Sequence, residues 1–105
     1  MPTIGYIAVV KRLIEDDSFI EWFTSLKDTK TKLVITKNIS KLRMGIGDTK
    51  VVGGGVSELR IHYGAGYRVY YMVKNNEIII LLCGGDKGSQ DKDIEKAKNI
   101  ADKWR

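Results

Sequence analysis

The densest chemistry in the chain lies between residues 58 and 70. Glu58, Arg60 and His62 alternate along one run, and Arg68 and Tyr70 follow after Gly64-Ala65-Gly66. Alternate residues of a strand share a face, and a glycine turn folds the second run back beside the first. A turn at 64–66 pairs Tyr63 with Tyr67. It then sets His62 opposite Arg68, Arg60 opposite Tyr70 and Glu58 opposite Met72. Glu58, Arg60, His62, Arg68 and Tyr70 become one polar patch, while Leu59, Ile61, Tyr63, Tyr67, Val69 and Tyr71 read as core. Paired guanidinium groups offer planar forks to phosphate and stabilise charge developing on a phosphorane. His62 or Glu58 can act as general base, and Tyr70 can stack on a nucleobase or place a proton. The same pattern also fits a solvated sheet face with cross-strand ion pairs worth about 0.2–1 kcal/mol each. On such a face, Arg68→Ala changes stability by no more than about 0.5 kcal/mol.

Lys87 lies just before a predicted helix, where free backbone amides favour an anion. The surrounding Gly84–Gly88 stretch does not match a nucleotide-binding phosphate loop. The single Cys83 sits inside the apolar run Ile78–Cys83 and reads as a core thiol. One cysteine and one histidine exclude an internal disulfide and a standard zinc site, so no metal or cofactor is implied. The net charge is +5. Residues 27–50 carry seven basic and two acidic residues, a surplus as large as that of the whole chain. Lys30, Lys37 and Lys41 in this segment suit a polyanion, or simply a solvated helix face.

These residues need a scaffold, and 105 residues allow one domain, 1–105. Ile4–Val10 is rich in β-branched residues and predicts a first strand reaching toward Leu13. Ser18 with Glu21 forms a capping box ahead of a helix whose apolar face is Phe19, Trp22, Phe23 and Leu26. Asp28 predicts the N-cap of a second helix ending near Met44, with Leu33 or Val34, Ile35, Ile39, Leu42 and Ile46 as its apolar positions. Strands follow at Lys50–Val52, Glu58–Tyr63, Tyr67–Lys74 and Glu77–Gly84, the last buried on both faces and central. Asn75-Asn76 turns between the last two. A helix over Asp91–Trp104 closes the chain. The order βααβββ(β)α predicts an α+β fold: a small antiparallel sheet with the helices against one side. No apolar run approaches the roughly 20 residues of a membrane span, and no secretory signal precedes the first strand. A cytoplasmic setting without membrane contact is expected.

Several stretches together resemble the RelE/ParE toxin superfamily, in its HigB-like "addiction module killer protein" branch. They are Glu58-Leu59-Arg60-Ile61, Gly64-Ala65-Gly66-Tyr67-Arg68-Val69-Tyr70, Leu81-Leu82-Cys83-Gly84-Gly85-Asp86-Lys87, and Gln90-Asp91-Lys92-Asp93-Ile94 with Ala97. Upstream, Phe19, Trp22 and Leu26-Lys27-Asp28 fit the same pattern, as does Gly47-Asp48 before a short strand.

The resemblance implies the toxin of a type II toxin–antitoxin module. RelE-like members cut mRNA on the ribosome without a metal, the 2′-hydroxyl attacking the adjacent phosphate. ParE-like members poison DNA gyrase. The implied partners are a helix-turn-helix antitoxin, the ribosome and mRNA, and operator DNA through the toxin–antitoxin complex. Carried over by position, Arg68 matches a cation at the scissile phosphate, Arg60 a cation on the preceding strand, and Lys87 a basic position after the last strand. Where RelE places a further arginine and a tyrosine near its C-terminus, this chain has Gly88 and Ile94. An acid or base must then come from Glu58, His62, a tyrosine or a cation. The first reading is a ribosome-dependent endoribonuclease, with Lys30, Lys37 and Lys41 on ribosomal RNA. A gyrase poison without nuclease activity and a non-toxic nucleic-acid-binding module are the alternatives.

Overall fold

A buried aspartate starts the first helix. Asp16 is the N-cap of the first helix, its Oδ1 accepting the Ser18 amide at 2.9 Å. Its Oδ2 accepts the Trp104 indole N–H at 3.0 Å and pairs with Lys103 at 3.3 Å. This anchorage starts the helix before Ser18, so the capping box expected at Ser18 and Glu21 gives way to Asp16. The structure, a computed structural model, describes residues 10–105. The strand expected at Ile4–Val10 therefore lies almost wholly outside the described residues.

The elements run β1 (Arg12–Glu15), α1 (Asp17–Ser25), α2 (Thr29–Arg43), β2 (Asp48–Gly53), β3 (Val56–Ile61), β4 (Tyr67–Lys74), β5 (Ile78–Asp86) and α3 (Gln90–Ala101). Short 3-10 turns at Lys87–Ser89 and Asp102–Trp104 flank α3. Asp28 caps α2 as expected, accepting the Thr31 hydroxyl at 2.7 Å. Asn75 and Asn76 both take positive φ, 53° and 56°, the geometry of a two-residue hairpin.

One sheet has the order β1-β5-β4-β3-β2. The last four strands form the antiparallel meander that their tight turns require. The edge strand β1 differs from the expectation and runs parallel to β5, Arg12 opposite Ile78 and Glu15 opposite Leu81. Two helices and three strands separate this pair, so no hairpin constrains its direction.

The helices cover both faces, not one. Phe19, Ile35, Ile39 and Leu42 of α1 and α2 pack on Leu59, Ile61, Val69, Tyr71, Ile79 and Leu81. Ala97, Ile100 and Ala101 of α3 pack on Val56, Tyr70, Met72, Ile80 and Leu82 across the sheet. The unbroken apolar run of β5 demands this, because Ile79 and Leu81 point one way while Ile80 and Leu82 point the other. A register shift between Tyr70 and Tyr71 leaves Leu82 as an extra residue, so Leu82 and Cys83 both face α3. Gly84 then passes beneath Trp22, where a Cβ would come within 2.2 Å of the indole.

Candidate active site

The β3–β4 hairpin sets the site. Its register places Ile61 opposite Tyr67, Arg60 opposite Arg68, and Glu58 opposite Tyr70. This lies two residues from the pairing expected of a turn at 64–66. The strand ends at Ile61, and the connection closes on itself through Tyr63 N–H to Ile61 O at 3.0 Å and Gly66 N–H to Tyr63 O at 2.9 Å. A shift of two preserves sidedness. The polar residues therefore share a face as expected, but with different neighbours.

The consequence is a pair of arginines directly across two strands. Like charges so placed repel, and each guanidinium has its own carboxylate. Arg60 Nη2 donates to Asp48 Oδ1 at 3.0 Å, Asp48 being its partner on β2. Arg68 Nε lies 3.3 Å from Glu58 Oε2. Asp48 Oδ2 also meets His62 Nε2 at 2.6 Å. The His62 contact first, and Arg60 after it, hold the Asp48 carboxyl below the usual carboxylate range.

A cleft of about 300 Å³ opens at this end of the hairpin, lined by Arg60, His62, Tyr63, Tyr67, Arg68 and Lys87 among others. Lys87 reaches it because its amide donates to Gly66 O at 3.2 Å, tying the loop after β5 to the hairpin turn. Of the residues singled out from sequence, Arg60, His62, Arg68 and Lys87 are brought together here.

Glu58 and Tyr70 are not part of the cleft wall. Both are 0% exposed, because α3 covers the half of this face that they occupy. Tyr70 therefore offers no ring for a nucleobase to stack on. Burial first, and the Glu58 charge next, push its phenol far above its usual value. Glu58 lies behind Arg68, with no exposed surface to offer a ligand. Burial likewise corrects the expectation that Arg68→Ala is nearly neutral: the Arg68 side chain is only 14% exposed and is paired with a buried charge. Cys83 is a core thiol as read, pushed up to about 12 by burial. Lys30, Lys37 and Lys41 are exposed on α2, and none of them lines the cleft.

Sequence reasoning missed Asp48, Tyr63 and Tyr67. The signal for Asp48 was its place at the start of a strand that pairs beside Arg60. The two tyrosines alternate as core residues, and only the end of the hairpin brings them to the cleft. Among the described residues, no group of three or more His, Cys, Asp or Glu is placed to hold a metal ion. Among them, too, no helix is long and apolar enough to cross a membrane.

The family described as phage-derived protein Gp49-like (DUF891) matches residues 21–104, which run from within α1 to beyond α3 and include every residue of the cleft. The chain belongs to this family. An uncharacterized protein of Haemophilus influenzae (strain ATCC 51907 / DSM 11121 / KW20 / Rd) is 48% identical over 85 residues, covering 80% of this chain and 86% of its own. Among solved structures, a double arginine-to-alanine mutant of the E. coli toxin RelE in the free state superposes with a TM-score of 0.69 at 17% identity. That match covers 87% of this chain and 98% of the toxin. This Gp49-like protein thus has the RelE fold, and its α+β order agrees with the one read from sequence.

Proposed function

We propose that this Gp49-like protein is the toxin of a type II toxin–antitoxin module, in the HigB-like branch, and that it cuts mRNA on the ribosome. The observation that carries the reading is the Arg60–Arg68 pair, set face to face in one cleft with Lys87. Two guanidinium groups held against each other are relieved by an anion between them, and a phosphodiester fits their forked donors.

In this reading the RNA 2′-hydroxyl forms a bond to the adjacent phosphorus, and the bond to the 5′-oxygen breaks. The products are a 2′,3′-cyclic phosphate and a 5′-hydroxyl end. Arg60, Arg68 and Lys87 stabilise the extra charge on the phosphorane. Glu58 is buried, so His62 is the acid–base group: Asp48 holds Nε2 and leaves Nδ1 to accept the 2′ proton. A proton must also reach the departing 5′-oxygen, and in this reading Lys87 gives it. Lys30, Lys37 and Lys41 lie on a helix that carries no acidic residue between Thr29 and Arg43, and they contact ribosomal RNA backbone. A helix-turn-helix antitoxin neutralises the protein in the cytoplasm, and the complex binds operator DNA.

Primer extension on cellular mRNA after induction tests this. Wild type should produce discrete new 5′ ends, and Arg60→Ala should not. One observation favours a second reading, a gyrase poison: α3 carries no tyrosine or histidine to assist at the phosphate. Intact mRNA together with trapped gyrase–DNA complexes would replace the first reading with the second.

A further inference from the structure

Glu58 is a charged side chain with no exposed surface, directly behind the cleft. Its Oε2 lies 3.3 Å from Arg68 Nε and accepts Gln90 Nε2 at 3.4 Å. Its Oε1 has no hydrogen-bond partner, and neither has the hydroxyl of Tyr70, the residue opposite it on β4; Arg68 Nε is likewise without an aligned hydrogen bond, so its contact with Glu58 is an ion pair. A carboxylate so enclosed cannot meet a ligand, and it acts only through the side chains it touches. Of these two, Arg68 lines the cleft and Gln90 lies outside its lining. Arg68 is on β4, whereas Gln90 opens α3, immediately after the 3-10 turn Lys87–Ser89 that carries Lys87.

Buried ion pairs give little stability over apolar residues of the same shape, so a pair kept at this cost points to fixed geometry. Contact through Nε leaves both Nη groups of Arg68 for an anion. A guanidinium held in one plane loses less freedom on binding than a free one.

We propose that Glu58 is a positioning residue: it locks the Arg68 guanidinium toward the cleft and, through Gln90, sets the loop that presents Lys87. The proposal rests on the cleft being an anion site.

Nuclear magnetic resonance of the full-length, 15N-labelled protein tests it, with inorganic phosphate as the probe. In wild type the Arg68 Nε–H exchanges with water at least about tenfold more slowly than that of exposed Arg12, and phosphate moves the Arg60, Arg68 and Lys87 signals together. Glu58→Gln preserves shape while removing the charge. It should bring Arg68 exchange to the Arg12 rate and weaken phosphate binding by about tenfold or more. Gln90→Ala should leave Arg68 protected but shift the Lys87 amide, which covers the case of a Glu58 variant that fails to fold. On RNA, Glu58→Gln should raise KM as well as lower kcat, whereas simple loss of folded protein lowers the apparent kcat and leaves KM unchanged. Unchanged Arg68 exchange and phosphate affinity in Glu58→Gln overturn the proposal, as does an unmoved Lys87 amide in Gln90→Ala. If wild type cuts no RNA, the nuclease reading falls while the exchange measurements still decide the role of Glu58.

Discussion

The Trp104 indole and the Asp16 carboxylate, 88 residues apart in sequence, meet at 3.0 Å. The contact fastens the last turn of the chain to the first turn of α1. Burial alone would raise the Asp16 carboxyl, but hydrogen bonds from Ser18, Trp104 and Lys103 outweigh it and hold the group below the usual range.

Asp16→Ala removes the cap of α1, worth about 0.5–2 kcal/mol, and leaves an indole N–H unsatisfied at about 1–3 kcal/mol. A loss of roughly 2–4 kcal/mol in urea unfolding is expected. Because the folded pKa is depressed, the contribution is fully present above the unfolded value of about 3.9 and disappears as pH falls through the lower folded value. The difference between wild type and variant should therefore narrow in urea titrations below about pH 4.

Arg60 and Arg68 separate function from folding. Arg60 and its partner Asp48 are both partly exposed, at 33% and 43%, so Arg60→Ala should cost less than about 1 kcal/mol. Loss of a phosphate donor should still lower cleavage about 100–1000-fold. Arg68→Ala strands the buried Glu58 charge and should destabilise by about 3–5 kcal/mol. Melting curves beside growth after induction check both. An Arg68→Ala protein as stable as wild type would contradict a buried pair between Arg68 and Glu58.

Gly84→Ala drives a methyl into Trp22 and should cost about 1–3 kcal/mol by overpacking. The double variant Gly84→Ala, Trp22→Leu should recover part of that loss relative to Trp22→Leu alone. A double-mutant cycle by chemical denaturation measures the coupling, and additive effects would contradict the close approach.

Reversing Lys30, Lys37 and Lys41 to glutamate leaves the cleft intact but changes the charge of α2. Ribosome co-sedimentation should weaken, and the slope of log affinity against log salt should fall by about 2–3. Cleavage that remains should keep its sequence preference. Docking that persists while antitoxin binding is lost would assign this helix to the antitoxin instead.

Local chemistry made much of the fold legible. Asp28 as a cap, Tyr67–Lys74 as a strand and Asn75-Asn76 as its turn depend on neighbouring residues, and all three form as expected. The features missed depend on distant partners. Asp16 outcompetes Ser18 as a cap because Trp104 and Lys103 reach it from the far end of the chain. Alternation placed Glu58 and Tyr70 on the same face as Arg68 but could not show that α3 lies over them and leaves Arg60 and His62 uncovered. Sidedness needs only parity along a strand, whereas burial needs knowledge of the second layer.

The parallel pairing of β1 with β5 also fixes an order in time. Ribosomes add about 5–20 residues per second, so the partner of Arg12, Ile78, is made about 3–13 seconds later. When Ile78 is made, the basic helix α2, Arg60 and Arg68 have been synthesised but Lys87 has not, so the cleft is still incomplete. A nascent chain thus carries the whole basic helix well before it carries the last wall of the cleft.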